Sequence, residues 1–310
     1  MFRIVLGATF SLLLPAVGLC QKPGKADTIP TSRFFELNEY FIQMPLGQTF
    51  IAPALCGGNT IARYHLPTDK PQPICDIDTT PQQHLRATLS MGSQTKSSIT
   101  QSQSAMRGAS NSIVSYQVSG SMTIDDDPAK YIMDIAVDPL APLAMKMNLG
   151  YGSTRLDLSG LRMMALEVVS GAADVLISYT KPNAVPMKFL TVSSGMSKIV
   201  IRNLDHARAE QVSVENGIGD TKIVVGSDIH SKSTVHIDVG TGKCTLLVHK
   251  DAPLKIIVNG TVFSSAQIPD GFVHTSDNTF TSHSYKLHCQ EAMTIIVDLG
   301  LGSFEMIPFE

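Results

Sequence analysis

Glycines recur at a nearly constant spacing in the C-terminal half of the chain, and this repeat constrains the fold more than any other sequence feature. The first four intervals are 21, 24, 22 and 23 residues. Another turn is expected near Thr261, 21 residues after the fifth glycine, and the last glycine follows 39 residues later. Self-similarity with a period of about 20–50 residues is typical of repeat proteins whose units stack. The turn glycines are Gly150, Gly171, Gly195, Gly217, Gly240 and Gly300.

Apolar residues occupy fixed positions on both sides of each turn glycine. They lie three and five residues before it and recur four and six residues after it, and the residues between are mostly polar, such as Lys146 and Glu167. Alternation with a period of two predicts β-strands with one buried face. The residues three places before the turns are Met147, Val168, Val192, Val214, Ile237 and Val297.

Each repeat therefore consists of a strand, a glycine turn, a second strand and a looser corner, and we call this unit a rung. One rung cannot bury its apolar face, whereas stacked rungs bury a continuous face. The sequence predicts an all-β fold in which residues 142–310 form a β-solenoid of 21–24-residue rungs stacked in chain order. The interval of 39 residues fits two rungs, or one rung with a polar insertion at Asp270–Ser284.

The residue three places after the turn glycine alternates in charge through the middle of the repeat. In rungs stacked about 4.8 Å apart, this order places opposite charges next to each other and keeps like charges apart. Exposed ion pairs contribute only about 0–1 kcal/mol, so we interpret this charge ladder as a determinant of register, with chance alternation as the alternative. Its members are Asp174, Lys198, Asp220 and Lys243.

The first twenty residues have the pattern of a signal peptide. Arg3 precedes an apolar stretch that is too short for a membrane span, and cleavage is expected after Cys20. Lipid attachment to Cys20 is the alternative, although Leu19 is larger than the residue that usually precedes a lipidated cysteine. The later sequence has no run of 18 apolar residues, so no transmembrane segment is expected in the mature, exported chain.

The region between the signal peptide and the repeat has no clear period. Residues 21–84 are rich in proline and turn residues and include an aromatic segment, Phe34–Phe41. They are predicted to form an irregular region pinned by a disulfide. Residues 85–141 are predicted to form an N-terminal cap of short strands and a Ser/Gln-rich loop.

Export permits disulfides, and four cysteines remain after signal-peptide cleavage. Four cysteines allow three pairings. Pairing of nearest neighbours keeps each bridge within its own region, but the connectivity stays open. A metal site is the alternative, and the absence of any Cys-x-x-Cys pair disfavours it. The cysteines are Cys56, Cys75, Cys244 and Cys289.

Two segments, Met147–Leu161 and Val214–Gly226, resemble the toast-rack repeat of the adhesin family that includes the LiaF-like cell-wall-active antibiotic response proteins. The resemblance covers about residues 135–310. The family's Gly-x-Gly-Asp turn is intact at Gly217–Asp220 and is relaxed in the other rungs. The resemblance implies a single-stranded right-handed β-helix without known catalytic residues. It also implies that a regulatory role in envelope stress is one possible function.

Composition excludes some function classes. The chain has 24 basic and 27 acidic residues and no tryptophan, which disfavours nucleic-acid binding. Gly240–Thr245 resembles a phosphate-binding loop but lacks the earlier glycine and the following helix that this loop needs. The sequence indicates no catalytic, cofactor or metal site.

The sequence therefore predicts a non-enzymatic, exported cell-envelope or surface protein that is adhesin-like or scaffold-like. Its partner is expected to be an unknown protein or glycan at the cell surface. Specificity is expected in the aromatic segment or in the Asp270–Ser284 insertion, because loops on a rigid frame usually carry it. The alternatives are a regulatory partner in the envelope stress response and a carbohydrate-active β-helix enzyme.

Overall fold

The structure is a computed structural model that confirms the all-β class. It describes residues 26–30, 38–54, 59–65, 73–80, 84–91, 131–229, 232–276 and 278–310. The regular elements in these ranges are strands and two 3₁₀ turns, Leu204–Ala207 and Ser284–Lys286. The strands are β1 Ala26–Pro30, β2 Asn38–Pro53, β3 Asn59–His65, β4 Pro73–Thr80, β5 His84–Met91, β6 Ile132–Val137, β7 Pro142–Asp157, β8 Arg162–Ser178, β9 Met187–Met196, β10 Ile199–Arg202, β11 Ala209–Ile218, β12 Thr221–Val225, β13 Ser233–His249, β14 Leu254–Gly260, β15 Ser265–Gln267, β16 Val273–Ser276, β17 Thr279–Thr281 and β18 Met293–Phe309.

The central strands form two parallel ladders that share their long members. The halves of the rungs before the turn glycines pair as β8, β9, β11 and β13. The halves after the glycines pair as β8, β10, β12 and β13. Because β8 and β13 run through both ladders, six parallel strands form a closed ring of pairings. We call the two ladders the first sheet half and the second sheet half.

The residues three places before the turn glycines lie in one buried column, as the spacing predicts. Val168 is in register with Val192, Val192 with Val214, and Val214 with Ile237. All four side chains are fully buried in one continuous hydrophobic core. The alternation therefore arises from stacking of rungs, and each rung buries the apolar face of its neighbours.

The turn glycines stack directly on one another. A Cβ atom at Gly195 would lie 2.9 Å from the carbonyl oxygen of Gly171, and one at Gly240 would lie 2.6 Å from that of Gly217. Any side chain at these positions would push neighbouring rungs apart. Glycine recurs at the turn because the backbones approach too closely for a Cβ atom.

Stacking does not follow chain order at the C-terminal end, and the prediction of sequential rungs is wrong there. The last strand, β18, lies between β13 and β14, with Val297 in register with Ile237 on one side and Val258 on the other. The chain returns close to its departure point, because the N–H of Met293 donates to the carbonyl of Pro253 at 3.0 Å. Any rung with the same apolar pattern can bury the same face, so the pattern alone does not set the order.

The N-terminal end has the same interleaved arrangement. β2 pairs in parallel with β7, and Ile42 is in register with Met147. On its other side β2 pairs with β5 and then with β6. Residues 38–53 therefore form a rung, and the stack begins well before the predicted boundary at residue 142. The prediction of an irregular region is wrong for this segment. The predicted Ser/Gln-rich loop, Gly92–Asn111, lies outside the described residues.

Antiparallel strands cover the N-terminal end of the stack and, at its C-terminal end, the first sheet half, whereas the short parallel strand β15 ends the second sheet half. At the N-terminal end, β4 pairs with β5, β3 pairs with β6, and β1 pairs with β3. At the C-terminal end, β17 pairs with β14 and β16 pairs with β17. Covering exposed edges prevents end-to-end pairing with other chains. The predicted Asp270–Ser284 insertion supplies β16 and β17, so part of it serves as this cover.

Asparagine side chains hold two of the corners between rungs. Asn183 is fully buried and accepts a hydrogen bond from the N–H of Met163 at 2.9 Å. Its amide donates to the carbonyls of Met163 at 2.7 Å and Val185 at 2.6 Å. At the next corner, the amide of Asn203 donates to the carbonyl of Tyr179 at 2.7 Å. These bonds satisfy backbone groups that the sheet leaves unpaired where the chain turns.

The predicted bridge between Cys244 and Cys289 is wrong. Both residues are free: Cys244 is buried and Cys289 is exposed. Cys244 occupies an inward position of β13, in register with Thr221 and Phe304, so its sulfur faces the core. Cys56 and the side chain of Cys75 lie outside the described residues, and their pairing stays a prediction.

Candidate functional surface

The outer face of the first sheet half carries a polar column that becomes acidic toward the C-terminal end. Its members are the residues two places before each turn glycine and before the turn at Thr261, and the pairings place them in register across the sheet. Carboxylates occupy three adjacent positions, so we call this feature the acidic column. Its order in space is Asn148, Val169, Ser193, Glu215, Asp238, Asp298 and Asn259.

Asp298 lies at the centre of a hydrogen-bond network in this column. The amide of Asn259 donates to Oδ1 of Asp298 at 2.7 Å, and Nε2 of His236 contacts Oδ2. The amide of Asn278 in turn donates to Oδ1 of Asn259 at 2.6 Å. The network links β13, β18, β14 and the segment before β17, so the stacking order creates it.

The network stabilises the ionised form of Asp298. Partial burial acts to raise the pKa of its carboxyl group, but the hydrogen bonds from Asn259 and His236 and the charge of His236 outweigh this effect. The pKa is therefore lowered from its ordinary value of 3.8. Asp298 remains an anionic hydrogen-bond acceptor under all but strongly acidic conditions.

A shallow groove lies along the acidic column where the last rungs stack. Its volume is about 300 Å³. Its lining includes the carboxylates of Asp238 and Asp298, and within it Oγ1 of Thr261 donates to the carbonyl of Gly300 at 2.7 Å. The groove is lined by Asp238, Asn259, Gly260, Thr261, Asp298, Leu299 and Gly300.

The charge ladder lies on the outer face of the second sheet half, and its four members are partly or fully exposed. Its carboxylates bind backbone rather than lysine ammonium groups: the N–H of Lys198 donates to Asp174 at 2.9 Å, and the N–H of Lys243 donates to Asp220 at 3.3 Å. The ammonium of Lys243 pairs with Glu305 at 2.6 Å. The ladder members therefore lie next to one another through backbone contacts, and the role of their alternating charges in setting the register stays a prediction.

The residue after each turn glycine forms a projecting edge between the two sheet halves, which we call the turn ridge. Several of these residues are apolar and about half exposed: Tyr151 is 59% exposed, Met196 57%, Ile218 50% and Leu301 56%. Neighbours in the ridge are in register, as for Met196 and Ile218. The turn ridge consists of Tyr151, Ala172, Met196, Ile218, Thr241 and Leu301.

The two segments expected to carry specificity have different environments. In the aromatic segment, Phe34 and Phe35 lie outside the described residues, whereas Tyr40 is buried and donates to Oγ1 of Thr60 at 2.9 Å. Burial raises the pKa of Tyr40, and the hydrogen bond to Thr60 opposes this effect. In the insertion, the rings of His274 and Phe280 stack at 5.0 Å. Tyr40 therefore belongs to the core and offers no ligand contact.

The acidic column was not recognised as a site in the sequence, although a signal was present. Glu215, Asp238 and Asp298 all lie two places before a turn glycine. An alignment of rungs on their glycines places them in one column. Only the interleaved order makes Asp238 and Asp298 direct neighbours.

In the part of the chain that the structure describes, His, Cys, Asp and Glu side chains form no group of three placed to hold a metal ion. The same residues include no helix with the length and apolar character needed to cross a membrane.

Comparison with known proteins gives little further information. No family model matches the chain, and no curated protein matches it. A similar solved structure is described as "a putative cell adhesion protein from Clostridium sporogenes ATCC 15579"; it has 13% sequence identity, a TM-score of 0.46, and an alignment covering 93% of this chain and 100% of that chain. The toast-rack resemblance therefore rests on the residues that carry it.

Proposed function

We propose that this chain is a non-catalytic, exported surface protein that binds a ligand along its acidic column. The observation that carries the proposal is the ionised Asp298, fixed by His236 and Asn259 beside the carboxylate of Asp238. These groups project from a continuous parallel sheet, so their spacing is rigid. A rigid array of acceptors is suited to binding because little side-chain freedom is lost when the ligand arrives.

The chemistry of the groove indicates a ligand rich in hydrogen-bond donors. Carboxylates accept strong bonds from hydroxyl, amide and cationic groups. Rungs repeat about every 4.8 Å, so the column offers acceptors at regular intervals. The hydroxyl groups of an extended glycan, or the basic side chains of a protein segment, have the complementary chemistry. This agrees with an adhesin-like or scaffold-like role.

The proposal includes the winding and the location of the chain. Two sheet halves joined at stacked turns and corners are suited to a β-solenoid, and the toast-rack resemblance supports a right-handed, single-stranded winding. The signal-peptide pattern of residues 1–20 supports export. An exported stack with covered ends is a durable frame for presenting a binding face.

A carbohydrate-active enzyme is the second candidate, and the groove is the observation that favours it. Asp238 and Asp298 are neighbours in register, and glycosidases use a pair of carboxyl groups. A general acid in such a pair needs a raised pKa. The pKa of Asp298 is lowered, so Asp298 fits only the ionised partner of such a pair, and Asp238 would have to be the acid. Asp238 is exposed and lacks the apolar surroundings that keep a general acid protonated, so binding is the better-supported function.

The test compares the mature chain with the double variant Asp238→Asn/Asp298→Asn in a glycan array and in pull-down from surface extracts. We expect the variant to lose at least about tenfold in affinity, because two anionic acceptors are removed. Asp251→Asn, which changes an exposed carboxylate outside the groove, should bind like the natural chain. Equal binding by the double variant would contradict the proposal.

The array ligands also separate the two candidates. Incubation of bound glycans with the natural chain should release no new reducing ends if the protein only binds. Release that is lost in Asp238→Asn would establish the enzyme instead. His274→Ala tests the insertion, and loss of binding in that variant alone would move the site to the C-terminal cover.

A further inference from the structure

The turn ridge has a pattern of side-chain sizes that is symmetric about its midpoint. Among its six members, in spatial order, the sizes are large, small, large, large, small and large, and the midpoint lies between Met196 and Ile218. The stack continues on the β2 side, where Leu46 is in register with Tyr151 but is buried. If a second copy of the ridge is laid antiparallel to the first, Met196 of one copy lies opposite Ile218 of the other. In the same way, Ala172 lies opposite Thr241, and Tyr151 lies opposite Leu301. Large side chains therefore meet large ones, and small side chains meet small ones.

The charge ladder beside the ridge has the matching symmetry in charge. Its midpoint lies between Lys198 and Asp220, which belong to the same two rungs as Met196 and Ile218. Reversal places Lys198 opposite Asp220 and Asp174 opposite Lys243. The next residues outward, Ser153 and Ser303, then face each other, and both are uncharged.

From these two patterns we propose that the chain forms an antiparallel homodimer through its turn ridge. The two-fold axis passes between the rungs of Met196 and Ile218, perpendicular to the direction of stacking. A two-fold interface must be self-complementary, since each residue i that contacts j is matched by j contacting i. The ridge and the ladder meet this condition about one common axis.

The other flank of the ridge is compatible with the same axis. The two-fold operation keeps the first sheet halves of both copies on one side of the interface. Glu215 then faces Ser193, Asp238 faces Val169, and Asp298 faces Asn148. The acidic side chains of one copy meet uncharged residues of the other, so the excess of negative charge on this face does not oppose association.

A parallel arrangement lacks this complementarity. A two-fold axis along the stack would place the second sheet half of one copy beside the first sheet half of the other. Asp220 would then face Glu215 in the same rung, and two carboxylates close together repel each other. The attraction between Asp238 and Lys243 in the next rung would only offset this repulsion, whereas the antiparallel order gives opposite-charge contacts alone. The distribution of charge thus selects the antiparallel dimer.

The size of the contact predicts a weak dimer. Six rungs at about 4.8 Å each give a contact about 29 Å long. With a flanking column on each side, the contact buries roughly 600 Å² per copy, at the low end for specific interfaces. Association is therefore expected to depend on concentration. The antiparallel order places the two grooves near opposite ends of the dimer, where they can bind one extended ligand bivalently.

The decisive experiment uses two charge reversals studied alone and mixed, with sedimentation equilibrium of the mature chain at low salt. Lys198→Glu places two like-charged pairs across the axis, and Asp220→Lys does the same with the opposite sign. We expect each variant to dimerise at least about tenfold more weakly than the natural chain. In the equimolar mixture, a heterodimer contains one chain of each variant. The introduced glutamate at position 198 then faces the introduced lysine at position 220, and the unchanged Asp220 and Lys198 face each other. Both contacts are attractive, so heterodimers should form with nearly natural affinity.

Two control variants distinguish the turn ridge from the rest of the surface. Lys222→Glu reverses an exposed charge two residues beyond Asp220, further from the ridge, and should leave the dimer unchanged. Met196→Asp should prevent association even in the mixture, with the circular dichroism spectrum of the folded chain retained. A natural chain that stays monomeric at all concentrations would overturn the proposal, as would dimerisation that neither reversal weakens or a mixture that does not restore it.

Discussion

Gly300 lies directly against Gly240, although the two residues are 60 positions apart in the chain. A methyl group on Gly300 would overlap the carbonyl oxygen of Gly240. The turn expected next to Gly240, near Thr261, lies instead on the far side of Gly300, where Oγ1 of Thr261 donates to the Gly300 carbonyl at 2.7 Å. This contact shows that the last strand, β18, is inserted between β13 and β14.

Replacing Gly300 with alanine should destabilise the fold, because the added methyl group meets rigid backbone. We expect the free energy of unfolding to fall by about 1–3 kcal/mol, as for overpacking in a core. Urea denaturation of Gly300→Ala and the natural chain gives the difference. Lys222→Ala, at an exposed position, should change stability by less than about 0.5 kcal/mol. Equal stability of Gly300→Ala would show that Gly300 does not stack on Gly240.

Removal of the last strand should release the strand before it. Because β14 pairs with β18 and not with β13, deletion of residues 293–310 leaves β14 without its parallel neighbour. Hydrogen exchange measured by mass spectrometry should show that residues 254–281 lose protection although they are still present. If rungs stacked in chain order, β14 would stay protected.

The reciprocal deletion tests the same order from the other side. Met293 N–H bonds to the carbonyl of Pro253, so a short Gly/Ser linker can replace residues 254–292. In this variant β18 should keep its pairing with β13 and its slow exchange. Fast exchange throughout β18 would contradict the interleaved stack.

These results show which features the repeat pattern could predict. The column of Val168, Val192 and Val214 follows from sequence because alternation and glycine spacing depend on local structure. The position of β18 depends on which neighbouring rung it pairs with. Because β18 and β14 have the same apolar pattern, the sequence does not show which of them lies next to β13. The groove at Asp298 exists only in the observed order, so it could not be located before the order was known. Cys244 lies four residues after a turn glycine, which already indicated an inward side chain.

Substitution of Asn183 should lower the free energy of unfolding more than substitution of most other polar residues. The side chain of Asn183 satisfies two buried backbone groups of Met163 and a partly buried carbonyl of Val185, and alanine would remove these partners. Each such group costs about 1–3 kcal/mol, so Asn183→Ala should lower the free energy of unfolding by several kcal/mol. Asn148→Ala, on the outer face, is the matched control and should change stability by less than about 0.5 kcal/mol. A small effect at Asn183 would mean that the corner rearranges.

The two described cysteines should differ sharply in reactivity. Burial raises the pKa of the Cys244 thiol to about 12, and the thiolate is the reactive form. Iodoacetamide at mildly alkaline pH should therefore modify the exposed Cys289 in the folded chain and reach Cys244 only after unfolding. Peptide mapping of the alkylated protein identifies each site. Protection of both cysteines, reversed by a reductant, would restore the predicted bridge.

The network at Asp298 should contribute stability that depends on pH. Because the pKa of Asp298 is lowered in the folded state, its contribution is present above the ordinary value of 3.8 and is lost as pH falls through the lower folded value. The side chain is 37% exposed, so solvent screening keeps the contribution within about 0–1 kcal/mol. Denaturation of Asp298→Asn and the natural chain should therefore give a constant difference near neutral pH that shrinks below pH 3.8. Carboxyl NMR provides the direct check: His236→Gln and Asn259→Ala should each raise the pKa of Asp298 toward its ordinary value. If neither substitution moved it, the two side chains would not be what keeps this carboxylate ionised.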